Sequence, residues 1–375
     1  MLLHFAYRRE VAFANHYQMR LKILFVIIPF IFAATGRGAD VSQSENIDVY
    51  IKQEMTKYQI PGLALAVAKD GKILKLKGYG LSSVEFDLPA NENTVFQLYS
   101  VSKIFAGVAM MKLVEDGKLS LETPVTEILE NLPGTWKAIR IRHLLTHTSG
   151  LPEASANPRL ASLPEDKRKT LTAEDVVGFV AELPLKFQPG EKFSYGQSSY
   201  IVLGMIVKKV VGASYADFLT ERVFNPLTMA STKFGGSEII IRRRSSTAYN
   251  RETGELRTWM YPFGIKDYPG AGLNSSAVDL MKFLTAIDAG RVLKQESLQA
   301  LWSPVKLNNG TEKGYGLGWT VEEHKGMKVV GHEGGGSIWV AHFPKEHLSV
   351  VVLCNLNGAR ADEIQFGVAD LVLGK

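Results

Sequence analysis

The chain contains one cysteine, Cys354, in 375 residues. A lone cysteine excludes an intramolecular disulfide and a cysteine metal site, and its setting in SVVVLCNL reads as a buried core thiol. No GxSxG elbow, phosphate-binding P-loop or GxGxxG fingerprint is present, so α/β-hydrolase and nucleotide-binding readings have no support. His143 and His147 are four apart in RHLLTHTSG, but the glutamate of an HExxH zinc motif is missing. There is no low-complexity tract and no repeat of fixed period.

Surplus charge is scarce once it is located. The net charge is +5, but Arg8, Arg9, Arg20, Lys22 and Arg37 against Glu10 place most of it before residue 39, leaving about +1 for the rest. A basic field for nucleic acid is therefore absent, and Arg242–Arg244 reads as a solvated strand end or loop. From Met19 the chain reads MRLKILFVIIPFIFAATGRGAD, with two cations, an apolar run from Ile23 to Ala34, then small residues. This is the pattern of a secretory signal cleaved near Gly38, with translation starting at Met19. The run is short against the roughly 20 residues of a membrane span, so an uncleaved anchor is the lesser alternative, and the membrane is a partner only through this leader.

What remains is ordinary globular composition, 46% hydrophobic and 22% charged. SENIDVYIKQEMTKY (44–58) reads as an amphipathic helix with Ile47, Tyr50, Ile51 and Met55 on one face and Ser44 as N-cap. LALAVAKDGKILKLKGYG reads as two strands joined at Asp70–Gly71. Near the other end, MKVVGHEGG, SIWVAHFP and LSVVVLCN read as strands and ADEIQFGVADLVLG as a closing helix. The middle is helical, with cap pairs Thr172/Asp175 and Ser276/Asp279. Gly-rich GYGLGW (314–319) reads as a closely packed strand. The expected class is α+β: an antiparallel sheet formed by both termini and flanked by helices, with a mainly helical insertion. In this division residues 1–38 are leader and 39–375 a single unit, whose α/β part covers about 44–100 and 300–375 and whose helical part covers about 101–299.

The stretch YSVSKIFAGVAM (99–110) is the anomaly. A helix from about Ser100 to Asp116, closed by Gly117, would be apolar all round from Ile104 to Met111 yet carry Lys103 into the core. Ser100 and Lys103 are three apart and so adjacent on a helix, about 5–6 Å at Cβ. Burial lowers an amine's pKa and turns it into a base for a neighbouring hydroxyl, while a first-turn N–H and the helix dipole favour an anion there. The alternative is a lysine that snorkels to water. Two further segments carry chemistry: QPGEKFSYGQSSY (188–200) with Tyr195, and GHEGGG (331–336), which by itself could be a glycine-rich turn.

SVSK, PGEKFSYGQSSYIVLG and GHEGGG together resemble, in order and spacing, the three motifs of the serine β-lactamase and penicillin-binding-protein superfamily. Within it they resemble the class C β-lactamase-like hydrolases, which include family VIII-type esterases and D-amino-acid-specific peptidases. IPGLALAVAKDGKI, HLLTHTSGLP, PGAGLNSSAVDL and FPKEHLSVVVLCN extend the similarity over nearly the whole mature chain. The resemblance implies Ser100 as nucleophile, Lys103 as its activating amine, Tyr195 as a partner in proton transfer, and the N–H groups of Ser100 and Gly335 as oxyanion hole. His332, Glu333 and Gly334 stand where the lactamases have Lys-Thr-Gly, and Gln197 stands where the second motif has asparagine or serine. Loss of the third-motif lysine removes a cation for a β-lactam carboxylate. The expectation is an exported, cofactor-free serine hydrolase acting on an ester or a D-amino-acid-containing peptide. A weak β-lactamase and a non-catalytic binding relative are the alternatives. The partner is then a small-molecule or peptide substrate, and no feature of the sequence speaks to oligomeric state.

Overall fold

The computed structural model describes residues 37–235, 246–252, 254–258 and 267–375. The apolar run of the leader and the Arg242–Arg244 cluster lie outside them. Seven strands form one antiparallel sheet: β1 (Gly62–Lys69), β2 (Lys72–Ser83), β3 (Leu88–Pro89), β4 (Thr320–His324), β5 (Met327–Gly334), β6 (Ile338–Phe343) and β7 (Leu348–Cys354). Their order is β4-β5-β6-β7-β1-β2-β3, so the two ends of the chain meet where β7 pairs with β1, Leu63 opposite Cys354. β1 and β2 are joined at Asp70 and Gly71, both at positive φ (52° and 73°), the backbone of a tight primed turn. The fold class read from the sequence is the one observed.

Alternation along the strands assigns the two faces. Ala64, Ala66 and Ala68 of β1 face the helical part, while Leu63, Leu65 and Val67 face α1 (Arg37–Tyr58) and the C-terminal helix Ala361–Leu373. Ile47 and Ile51 of α1 are fully buried in that second layer. α1 begins seven residues before Ser44, so Ser44 is no cap; its hydroxyl and carbonyl oxygens accept from Lys75 Nζ, each at 3.0 Å. The other two cap expectations hold: Thr172 accepts from Asp175 N–H, and Ser276 from Asp279 N–H.

The central helix α2 (Ser102–Glu115) runs through the larger core, with every residue from Ser102 to Met111 buried. It begins two residues later than the apolar pattern suggests, because Tyr99–Val101 forms a separate 3₁₀ turn. Gly117 follows its end at φ 69°, as a terminating glycine should. Close approach on the 314–319 side explains the glycines there: a Cβ on Gly107 would stand 2.0 Å from the carbonyl oxygen of Leu317, and one on Gly318 2.4 Å from that of Lys103. GYGLGW is accordingly a loop pressed against α2, not a strand.

Candidate active site

Ser100 sits in the 3₁₀ turn immediately before α2, and the turn is pinned from two sides. Leu98 N–H donates to the Leu273 carbonyl (2.9 Å), and the Ser102 hydroxyl accepts from Leu273 N–H (3.1 Å). Ser102, the other serine of the motif, is thereby committed to structure. Tyr99 takes positive φ (48°), which costs a bulky residue strain and turns the chain sharply into the helix.

Three side chains named from the sequence converge here. Lys103 Nζ lies 3.2 Å from Ser100 Oγ, and the Tyr195 hydroxyl donates to the same oxygen at 2.7 Å. Lys103 is fully buried, whereas Tyr195 is 43% exposed, so the hydroxyl of Ser100 lies between a dry amine and an accessible phenol. The amine does not snorkel. It donates to the carbonyl oxygen of Gly270 (2.8 Å) and to Gln197 Oε1 (3.1 Å), and the rings of Tyr195 and Tyr200 lie 4.9 and 5.1 Å from it. Burial pulls its pKa down to about 7, against the opposing pull of Glu153 and Glu333. Near neutral pH a large share of this amine is therefore uncharged and able to take a proton.

Gln197 belongs to this cluster through its side-chain oxygen. Besides Lys103, the Tyr268 hydroxyl donates to it at 2.5 Å, and the Gln197 backbone N–H donates to Glu153 Oε1 at 2.9 Å. One side-chain oxygen thus serves both Lys103 and Tyr268. Tyr268, Gly270 and Glu153 were not singled out from the sequence; the nearest signal was the PGAGL segment, which contains Gly270.

The third motif divides by strand alternation. His332 pairs with Val340 and lies on the core face, buried, with Nε2 2.9 Å from the Tyr315 hydroxyl and Nδ1 2.6 Å from its neighbour's carbonyl oxygen, that of Glu333. Burial and the nearby Lys103 push its pKa down to about 3, so it is a neutral imidazole. Glu333 pairs with Trp339, on the opposite face, and its carboxylate accepts from Gly336 N–H. Glu333, which stands at the middle position of the third motif, thus braces the turn that follows. Gly334 and Gly335 need to be glycines: a Cβ on Gly334 would stand 2.3 Å from the Leu98 carbonyl oxygen, and Gly335 has φ 59° with the Tyr99 ring 3.0 Å from such a Cβ. Hence Gly335 is stacked against the residue that precedes Ser100.

His143 and His147 do not act as a pair. His143 Nδ1 accepts from Arg140 N–H, while His147 lies against the Tyr195 ring, centroids 4.3 Å apart. A cavity of about 530 Å³ between α1 and β2, lined by Lys52, Met55, Ile60, Pro61 and Tyr79, contains none of the residues of this cluster.

Comparison with known proteins gives a consistent result. Residues 47–373 match the protein-family profile described as Beta-lactamase. The chain is 32% identical over 298 residues to penicillin-binding protein 4* of Bacillus subtilis, an alignment covering 74% of this chain and 64% of that protein. The chain thus spans somewhat under two thirds of the length of this curated relative. Among solved structures, an octameric penicillin-binding protein homologue from Pyrococcus abyssi superposes with a TM-score of 0.77 at 28% identity, over 88% of this chain and 77% of that one. D-amino acid amidase of Ochrobactrum anthropi SV3 superposes with a TM-score of 0.75 at 22% identity, over 89% and 99%, a likeness of fold.

Proposed function

The chain belongs to the β-lactamase family, a family of serine hydrolases, and on that premise we propose that it hydrolyses a carboxylic ester or a D-amino-acid-containing peptide through an acyl-serine intermediate. The observation that carries this reading is the Ser100 hydroxyl held within hydrogen-bond reach of both a buried amine and a phenol.

In this mechanism Lys103, as free amine, takes the Ser100 proton while Oγ bonds to the substrate carbonyl carbon. The resulting oxyanion is held by the N–H groups of Ser100 and Gly335; a first-turn N–H lacks an intrahelical acceptor and is available for this. The tetrahedral adduct collapses as Tyr195 gives its proton to the departing oxygen or nitrogen, and the Lys103 ammonium restores the phenol proton. Water repeats the sequence on the acyl-enzyme: it loses a proton to the amine as it attacks, the acyl C–Oγ bond breaks, and Ser100 Oγ recovers that proton by way of Tyr195 as the acid leaves. Lys103 returns to the free amine, and no other reactant is consumed.

A neutral His332 committed to Tyr315 supports the ester or D-peptide reading over a β-lactamase, because it supplies no cation for a β-lactam carboxylate. Export through cleavage near Gly38, to the periplasm or the medium, belongs to the same proposal; the N-terminal sequence of the protein recovered from each cell fraction tests it. Among the described residues no helix is long and apolar enough to cross a membrane.

The test is covalent labelling by a fluorophosphonate with intact-mass readout, paired with turnover of short-chain p-nitrophenyl esters, D-alanyl peptides and nitrocefin. A single adduct lost in Ser100→Ala, with ester or D-peptide turnover exceeding nitrocefin, supports the proposal. An unlabelled wild type, or an equally labelled Ser100→Ala, overturns it.

A further inference from the structure

We propose that His147, Tyr315 and His332 are positioning residues forming a one-way hydrogen-bond chain that locks the Tyr195 turn to strand β5. Their proposed role in catalysis rests on the serine-hydrolase reading; the direction of the chain does not.

The direction follows from its two ends, each a backbone group with only one possible role. Gly196 N–H can only donate, and it points at His147 Nδ1 at 3.2 Å. That nitrogen therefore carries a lone pair, and the proton of the neutral ring sits on Nε2. His147 Nε2 lies 3.2 Å from the Tyr315 oxygen, which accepts. At the far end the Glu333 carbonyl can only accept, so His332 Nδ1 holds the proton and His332 Nε2 is bare. The Tyr315 hydroxyl, 2.9 Å from that nitrogen, gives its single proton there. The neighbouring Tyr200 hydroxyl does not compete: it spends its own proton on the Leu145 carbonyl (2.8 Å) and lies 3.5 Å from Tyr315. Four bonds run in one sense, and each fixes the next.

Burial keeps the pieces in the required state. His147, Tyr315 and His332 are 2%, 4% and 3% exposed. Loss of solvation holds both imidazoles neutral and raises the pKa of the Tyr315 phenol, so no link ionises near neutral pH.

The chain ends at the turn that presents the phenol. His147 brackets Tyr195 along the backbone, since its carbonyl accepts from Ser194 N–H (2.9 Å) and its ring accepts from Gly196 N–H. Its own φ of 58° brings both groups to the same side, and its ring lies 4.3 Å from the Tyr195 ring. His332 thus takes up the third-motif position without touching Ser100: it fixes, through Tyr315, where Tyr195 stands.

The test uses the full chain labelled with ¹⁵N-histidine. Long-range ¹H–¹⁵N correlation at pH 7 should show His147 as the pure Nε2–H tautomer and His332 as the pure Nδ1–H tautomer. Tyr315→Phe keeps the ring packing and removes only the bridge. Both tautomers should persist, since Gly196 N–H and the Glu333 carbonyl still set them, while the ¹⁵N shifts of both Nε2 atoms move as they lose their partner. The kcat for a p-nitrophenyl ester should fall roughly tenfold or more with KM within about twofold. The opposite tautomer at either histidine, a cationic ring, or a Tyr315→Phe enzyme of unchanged kcat would overturn the proposal. Should that variant fail to fold, the wild-type spectrum alone decides. The spectrum is independent of turnover, so it separates failure of this chain from failure of the hydrolase reading.

Discussion

Gly334 and Leu98 are packed so closely that a β-carbon on the first would stand 2.3 Å from the carbonyl oxygen of the second. The contact clamps the end of β5 onto the turn that carries Ser100, and it sets where the N–H of Gly335 can stand relative to the serine oxygen. Gly334→Ala should force the two segments apart. The expected cost is about 1–3 kcal/mol of stability, as for other overpacked sites. Labelling of Ser100 should slow by about tenfold or more. Denaturant midpoints and adduct formation rates measure the two effects on the same sample; fast labelling in a folded variant would show that the clamp does not align the site.

Lys103→Met retains most of the side-chain volume and removes the amine proposed as base. Turnover should drop on the order of 10²–10⁴-fold, the usual contribution of a positioned general base. An ester assay with active-site titration checks this, and a variant within a few-fold of wild type would take the amine out of the mechanism.

The same amine makes both activity and stability depend on pH. Its pKa is lowered to about 7 in the folded protein from 10.5, and in the proposed mechanism only its deprotonated form can take the Ser100 proton. The rate kcat/KM should rise about tenfold per pH unit below about 7 and level off above it. For stability, between about 7 and 10.5 the unfolded chain holds a proton that the folded one has lost, so this group makes folding more favourable as pH rises. The penalty is complete below about 7 and relieved by 10.5. The stability of Lys103→Met relative to wild type should therefore decline across that window, by at most about 1.4 kcal/mol per pH unit. Paired urea titrations at pH 7 and 9 measure the difference; a stability of Lys103→Met that rises relative to wild type between them contradicts the assignment.

Asn355, just after β7, does a different kind of work. Its side-chain oxygen accepts from Gly62 N–H (2.8 Å) and its amide donates to the Leu81 carbonyl (2.9 Å), tying β7 to β1 and β2 where the chain ends meet. Asn355→Ala leaves both backbone groups without these partners, at a cost of roughly 2–4 kcal/mol. The folded fraction should label at Ser100 as fast as wild type. A labelling defect without a stability loss would place Asn355 in the site instead.

The resemblance of the three motifs implied that Tyr195 joins Ser100 and Lys103; periodicity and spacing in the sequence determined the α+β class, the two-ended sheet, the Asp70–Gly71 hairpin and the adjacency of Ser100 and Lys103. Each of these is written in local pattern: alternation of apolar residues, turn residues at fixed offsets, and an ammonium in an apolar helix. Tertiary structure decided the rest. Whether Lys103 is buried depends on the loops at 268–270 and 314–319, far along the chain, closing over it. Glu333 faces away from the cleft because strand register, not residue type, chooses its face. His147 and Tyr315 were legible only as one of two histidines four apart without a zinc-motif glutamate and as an aromatic in a glycine-rich run, since their meeting joins positions 168 residues apart. A hydrogen-bond chain of that kind has no local signature; it exists only once packing has removed water and left each group one partner.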